Sequence, residues 1–305
     1  MNRCSFWLTC ILLLVFWFSL LAGSRALSFS MDEPLHIAAG YAFLARGSSS
    51  LWHLSYYIQP PLPGILAAFL LYLSNPGIPV EALSGWNEHF LVYAASFMPY
   101  LQPIERTEIL SRAPVMLLSL LLVALICRWT ILLTRAPEAG TLAMFILTFD
   151  PLLRAHSRFA TTDTIAALMA VATAYTTWRW TRSPTWLRSI KVGLMLGVAL
   201  LAKFSSVLYV FAFVLLAAWK LLTTRTGRRQ FIAQTVVCFI VALLIIWPFF
   251  GWSWGRMPDI SFPLPLPAPL YWRTLVDVNR SASWRSIIAF GELRFGSHWW
   301  YFPLN

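Results

Sequence analysis

Charge is what this chain has least of. Only 11% of its 305 residues are Asp, Glu, Lys or Arg, about half the share of a soluble domain. That scarcity excludes an ordinary soluble protein. Acids are the rarer sign, 12 against 23 bases. Cysteine is nearly as scarce. Cys4, Cys10, Cys127 and Cys238 each lie in or beside an apolar run, with no paired metal-ligand spacing. This excludes a disulfide framework or a zinc site and reads them as small buried apolar residues. No internal repeat is visible.

Hydrocarbon fills the chain instead. It is 59% hydrophobic, with a mean hydropathy of +0.67. Apolar runs cover 6–21, 115–127, 165–175, 207–222 and 231–250. Several approach the roughly 20 residues that cross a bilayer core. The expectation is an all-α polytopic membrane protein with about seven spans. The first run exceeds the usual ~7–15 apolar residues of a signal peptide, so it reads as an uncleaved helix.

The net charge of +11 does not imply nucleic acid. Threading the spans alternately from a cytoplasmic N-terminus gives the cytoplasmic side 11 of the 23 bases but only Glu138 of the 12 acids. That side carries +10 and the other +1. The imbalance is the positive-inside rule. The layout expected is a transmembrane domain over 1–250 with a long external loop at 23–108. An external segment at 251–305 then leads towards a further span. Within the first loop, 62–73 is apolar but too short to cross. The prolines at 258, 263, 265, 267 and 269 favour an extended, stiff connector.

Polar residues that lipid should exclude collect in three external patches. Asp32, Glu33 and His36 form the first, with Gln59 later in the same loop. Asp150, Arg154, His156, Arg158 and Asp163 form the second. Lys203, between two spans, is the third, and Arg112 sits near the external end of a span. Cations of this kind hold a phosphate as it leaves, and a carboxylate takes the proton of an attacking hydroxyl. The bland readings are concrete. Ser30 and Glu33 fit a capping box, Asp163 complements a helix dipole, and arginines snorkel to headgroups. His36 and His156 are lone histidines, which hydrogen-bond more readily than they ligate.

Ser30-Met31-Asp32-Glu33-Pro34-Leu35-His36, followed by Gly40-Tyr41, resembles the opening of membrane glycosyltransferases that use a phospholipid carrier. These are relatives of protein O-mannosyltransferases and of the lipid A aminoarabinose transferase. Gln59-Pro60-Pro61-Leu62 departs from their His-Pro-Pro-Leu. Asp150-Pro151, Ala155-His156-Ser157-Arg158 and Thr161-Thr162-Asp163 are similar to their second external loop. Leu201-Ala202-Lys203-Phe204-Ser205 is similar to their Thr-Lys-Phe-Ser motif. Gly291-Glu292 and His298 to Pro303 resemble a late external motif.

The resemblance implies a C-type glycosyltransferase fold in a chain that stops short of the family's length. It implies inverting transfer of a hexosyl or pentosyl group from a polyprenyl- or dolichyl-phosphate sugar. The acceptor would be a hydroxyl on a protein, lipid or glycan at the extracytoplasmic face of the membrane. Asp32 takes the part of the base, with Glu33 and Asp163 as further catalytic acids. Arg112 and Lys203 would grip the phosphate, with Arg158, His36 and His156 as further substrate contacts. No metal site or cofactor is expected, though the residue pattern leaves a divalent metal open. The competing readings are a lipid or sugar transporter and a degenerate, non-catalytic subunit. A transporter tends to place polar groups at the bilayer midplane in repeated halves, unlike the acids here.

The charge division is directly testable. Single cysteines beside Asp163 and Lys203, in a background without the native four, are expected to react with an impermeant thiol reagent in intact cells. Cysteines beside Arg182 and Arg228 are expected to react only after permeabilisation. Labelling in the reverse sense would overturn the arrangement.

Overall fold

The computed structural model describes residues 3–53, 59–223, 227–258, 260, 262–281, 286–289 and 292–295. The late motif at Gly291 and 298–303 lies outside them, except for the backbone at Glu292. Thirteen helices are described. In order they are α1 (Arg3–Arg25), α2 (Glu33–Arg46), α3 (Ser50–His53), α4 (Pro61–Ser74) and α5 (Phe90–Phe97). Then come α6 (Ile104–Thr134), α7 (Pro137–Phe149), α8 (Pro151–His156), α9 (Asp163–Arg182) and α10 (Trp186–Ala202). Last are α11 (Val207–Thr223), α12 (Arg228–Phe249) and α13 (Pro269–Ser281).

Four of these, α1, α6, α11 and α12, are long and apolar enough to cross a membrane. The expected seven included α7, α9 and α10. With 13 residues, α7 reaches about 20 Å, short of a ~30 Å core. The α9 helix is long enough but rich in Thr, with Arg179 and Arg182 in its last turn. All three still pack as members of the bundle. Leu12, Phe16 and Leu20 of α1 meet Met116 and Val123 of α6 and Met144 of α7. Trp180 of α9, stacked on Phe231 at 4.6 Å, joins α10, α11 and α12 in a second core.

Glycine sets how closely two helix pairs approach. Gly193 and Gly197 of α10 lie against α12, where an added Cβ would meet the carbonyl oxygens of Cys238 and Ala242 at 2.5 and 2.8 Å. This is the small-xxx-small packing of membrane helices. The short run at 62–73 forms α4, Pro61–Ser74. As α4 it crosses α2, and a Cβ on Gly40 would fall 1.8 Å from the Gly64 carbonyl oxygen. With α5, these helices bury Ile37, Tyr41, Ala67, Tyr93 and Phe97 in a core of their own.

The proline-rich tail is no stiff connector. Trp254–Gly255 (β1) pairs antiparallel with Leu266–Pro267 (β2), turning the chain back. The α13 helix then buries Leu270 and Tyr271 against Leu200, Leu201, Ile246 and Phe250 of α10 and α12. Beyond it, Ser286–Ala289 (β3) pairs with Glu292–Phe295 (β4).

The backbone contact at Gly40 gives a sharp expectation. Gly40→Ala must push α2 and α4 apart and is expected to cost about 1–3 kcal/mol, the usual range for overpacking. Gly77, where an added Cβ meets nothing within 4 Å, should accept Ala without loss. Thermal unfolding of both variants in detergent checks this, and equal stability would refute the crossing.

Candidate active site

Adjacent carboxylates at the start of α2 meet opposite fates. Glu33 is fully buried, and so is Arg112 of α6. Arg112 Nε donates to Glu33 Oε1 at 2.8 Å and its Nη2 to Oε2 at 2.9 Å. Nη1 donates to the carbonyls of Ser24 and Leu27, and Nη2 also to that of Ser28. A guanidinium has five hydrogens to give, and all five are spent. The rings of Phe29 and Phe159 pack over it at 5.6 and 5.5 Å.

Glu33 is equally saturated. Besides Arg112, its oxygens accept from the backbone N–H of Ser30 at 2.8 Å and of Ala160 at 2.9 Å. The bond to Ser30 is the contact a capping box predicts, but the helix starts two residues later, with Asp32 at its N-cap. Arg112 therefore has no donor left for a phosphate, and Glu33 no exposed lone pair for a proton. Both residues are engaged by one another and by the backbone, outside the lining of the cavity. The two residues tie the end of α1, the start of α2, α6 and the loop before α9 into one joint.

Asp32 stands at the N-cap of α2 but makes no capping hydrogen bond. Its exposed side chain instead lines an open cavity of about 600 Å³, a size usual for small-molecule sites. His36, Gln59, Asp163, Lys203 and Ser205 share that lining. His36 is one helical turn on from Asp32, so both fall on one face of α2. Burial holds the His36 imidazole below its ordinary value, although the carboxylates of Asp32, Asp163 and Glu33 pull it upward.

Asp163 opens α9 and Lys203 caps the C-terminus of α10 in an extended conformation. Lys203 Nζ donates to Asp163 Oδ1 at 2.6 Å. His156 Nδ1 lies 3.4 Å from the other oxygen, beside the cavity rather than in its lining. Burial pushes the Asp163 carboxyl up, but the bond and charge of Lys203, helped by His156 and His36, hold it below the usual carboxylate range. Arg158 lies elsewhere. It crosses α1 and donates to the Ser19 carbonyl at 3.3 Å. Asp150 is a helix cap, accepting from the Leu153 N–H at 2.6 Å.

Of the eight residues expected at the site, the fold thus gathers Asp32, His36, Asp163 and Lys203 around one cavity, with His156 beside it. Phe90 and Leu91 of α5 and Val278 of α13 complete the wall. They escaped the sequence reading because apolar side chains carry no chemical signal. Among the described residues no cluster of His, Cys, Asp and Glu could hold a metal ion.

The described helices enclose a polar cavity walled by Asp32, Asp163 and Lys203. The family model for dolichyl-phosphate-mannose-protein mannosyltransferases matches residues 97–254, just over half of the chain, and the chain belongs to that family. The matched stretch holds Arg112, Asp163 and Lys203, and begins after Asp32. No curated protein and no solved structure matches the chain.

The buried pair yields the next expectation. Arg112→Ala leaves Glu33 charged and unpaired in the interior and is expected to cost about 3–5 kcal/mol. The double variant Glu33→Gln/Arg112→Met removes both charges and should be less destabilised than Arg112→Ala. Unfolding in detergent measures both. A normally stable Arg112→Ala protein that had lost only donor binding would restore the phosphate role.

Proposed function

We propose that this protein moves a sugar from a polyprenyl- or dolichyl-phosphate carrier to an acceptor hydroxyl, at the extracytoplasmic face and with inversion. The observation that carries this reading is the sharing of one cavity by Asp32, free of any cap bond, and the Asp163–Lys203 pair. Asp32 accepts the proton of the attacking hydroxyl. Lys203 has three ammonium hydrogens, of which Asp163 takes one, and the others meet the phosphate as it leaves. Asp163 positions that ammonium. Inversion requires attack from the face opposite the leaving group, so the sugar lies between Asp32 and Lys203.

His36, with its pKa lowered, offers a neutral imidazole to the sugar hydroxyls. Gln59 occupies the cavity where the related motif carries His. An amide keeps donor and acceptor capacity there but cannot exchange a proton, which leaves Asp32 to act as base. An apolar slot lined by Phe43, Leu51, Phe250 and Leu270 shares Gln59 and Phe204 with the cavity. The positive-inside division supports that side of the membrane, and the family's description supports a protein acceptor.

Asp32→Asn separates the base from its bland alternative. Asn caps a helix nearly as well as Asp, so folding should be unchanged. Sugar transfer in lipid should fall by roughly a hundredfold or more, the scale of general-base loss, with donor binding kept. Lys203→Ala should weaken donor binding by about 1.5–3 kcal/mol, the worth of a charged hydrogen bond. Near-normal transfer by Asp32→Asn would refute the assignment.

A further inference from the structure

A second cavity, of about 370 Å³, opens at the far end of the bundle. Tyr175, Thr176 and Arg179 of α9 and Thr185, Arg188 and Lys191 at the head of α10 line it. Three cations from two helices thus surround one concave space. No acid stands between Asp163 and Asp259 in the sequence. Among the described residues, no salt bridge engages Arg179, Arg188 or Lys191.

The cations are also held in place. Arg188 Nη1 donates to the carbonyls of Arg179 and Ser183 at 3.3 and 2.6 Å. Arg179 lies over the Tyr175 ring at 5.9 Å and donates to its hydroxyl at 3.4 Å. Each guanidinium keeps hydrogens beyond these bonds. Arg188 moreover sits in the first turn of α10, where the helix dipole already carries positive charge. Such crowding is unfavourable unless an anion sits among the charges. Trp186 and Leu187, 48% and 62% exposed, give the same turn an apolar lip.

The positive-inside rule accounts for basic residues at this end, but only for their number. It does not require them to converge on a cavity, nor Arg188 to be fixed by backbone carbonyls. Basic pockets between membrane helices are built for acidic lipid head groups. We propose that this cavity binds a phosphate-ester anion, supplied by the head group of an acidic phospholipid in that leaflet.

The test uses the full chain in neutral detergent. Dioctanoyl-phosphatidylglycerol is titrated and the unfolding temperature followed. A ligand held by the folded state raises that temperature progressively with the logarithm of its concentration, by a few degrees at about a hundred times its Kd. Dioctanoyl-phosphatidylcholine should give no comparable rise. Glycerol 1-phosphate, which lacks acyl chains, should act only at much higher concentration. An equal response to it would overturn the lipid source while leaving the phosphate site.

Arg179→Gln/Arg188→Gln/Lys191→Gln should abolish the response. Arg128→Gln/Lys220→Gln/Arg229→Gln removes the same charge outside the cavity and should keep it. Equal loss in both triples would reduce the effect to diffuse electrostatics and overturn the proposal. Lys191→Gln alone, an exposed change that spares the fold, should need severalfold more lipid for the same rise. An unchanged requirement would also count against the site.

Discussion

The closed ion pair of Glu33 and Arg112 is the constraint on which the rest of the structure depends. Two full charges inside a membrane bundle are tolerable only when every hydrogen-bonding capacity is met. Here five guanidinium hydrogens and the carboxylate oxygens satisfy one another and the backbone at Ser24, Leu27, Ser28, Ser30 and Ala160. The carbonyls so engaged follow the last turn of α1, where a helix leaves its acceptors unpaired. One arginine therefore ends a membrane helix, starts α2 and fixes α6 between them. The loop that delivers Asp163 is held by the same carboxylate, through the N–H of Ala160. The cavity inherits its geometry from this joint.

That joint also explains why Asp32 is available. Consecutive helical residues point about 100° apart. Once Glu33 is turned inward to Arg112, its neighbour has to face elsewhere. The Ser30 N–H, two residues before the cap, donates to the same Glu33, and Asp32 makes no cap bond of its own. A buried carboxylate does the structural work and leaves an exposed one, a single residue away, to the cavity.

Much of this was legible in the sequence, and the failures have physical causes. Asp32, Asp163 and Lys203 announce themselves because lipid gives no reason for them at span ends. Arg112 announces itself in the same way but was given the wrong partner. Its acid lies 79 residues away, and sequence spacing does not show which of several external acids will turn inward. The glycine spacing Gly193-x-x-x-Gly197 carried a packing signal that could have placed α10 on α12. The tail misled because alternating prolines favour extended chain locally, whereas the burial of Leu270 and Tyr271 is a tertiary reward.

The two cations at span ends differ in what they have left to offer a ligand. Arg112 and Lys203 look alike in sequence, each a base near a span end. Arg112 has spent every donor and is sealed between aromatic rings. Lys203 is 32% exposed and meets Asp163 through one bond. Both charges of that second pair also suit their own helices. Asp163 sits at the positive end of α9 and Lys203 at the negative end of α10, where each is stabilised by the dipole. The pair can therefore loosen its mutual bond without losing all of its support. An arriving phosphate can share the ammonium with Asp163, whereas sharing Arg112 would require dismantling the joint that builds the site. A saturated ion pair is architecture, and an unsaturated one beside a cavity is where binding chemistry can occur.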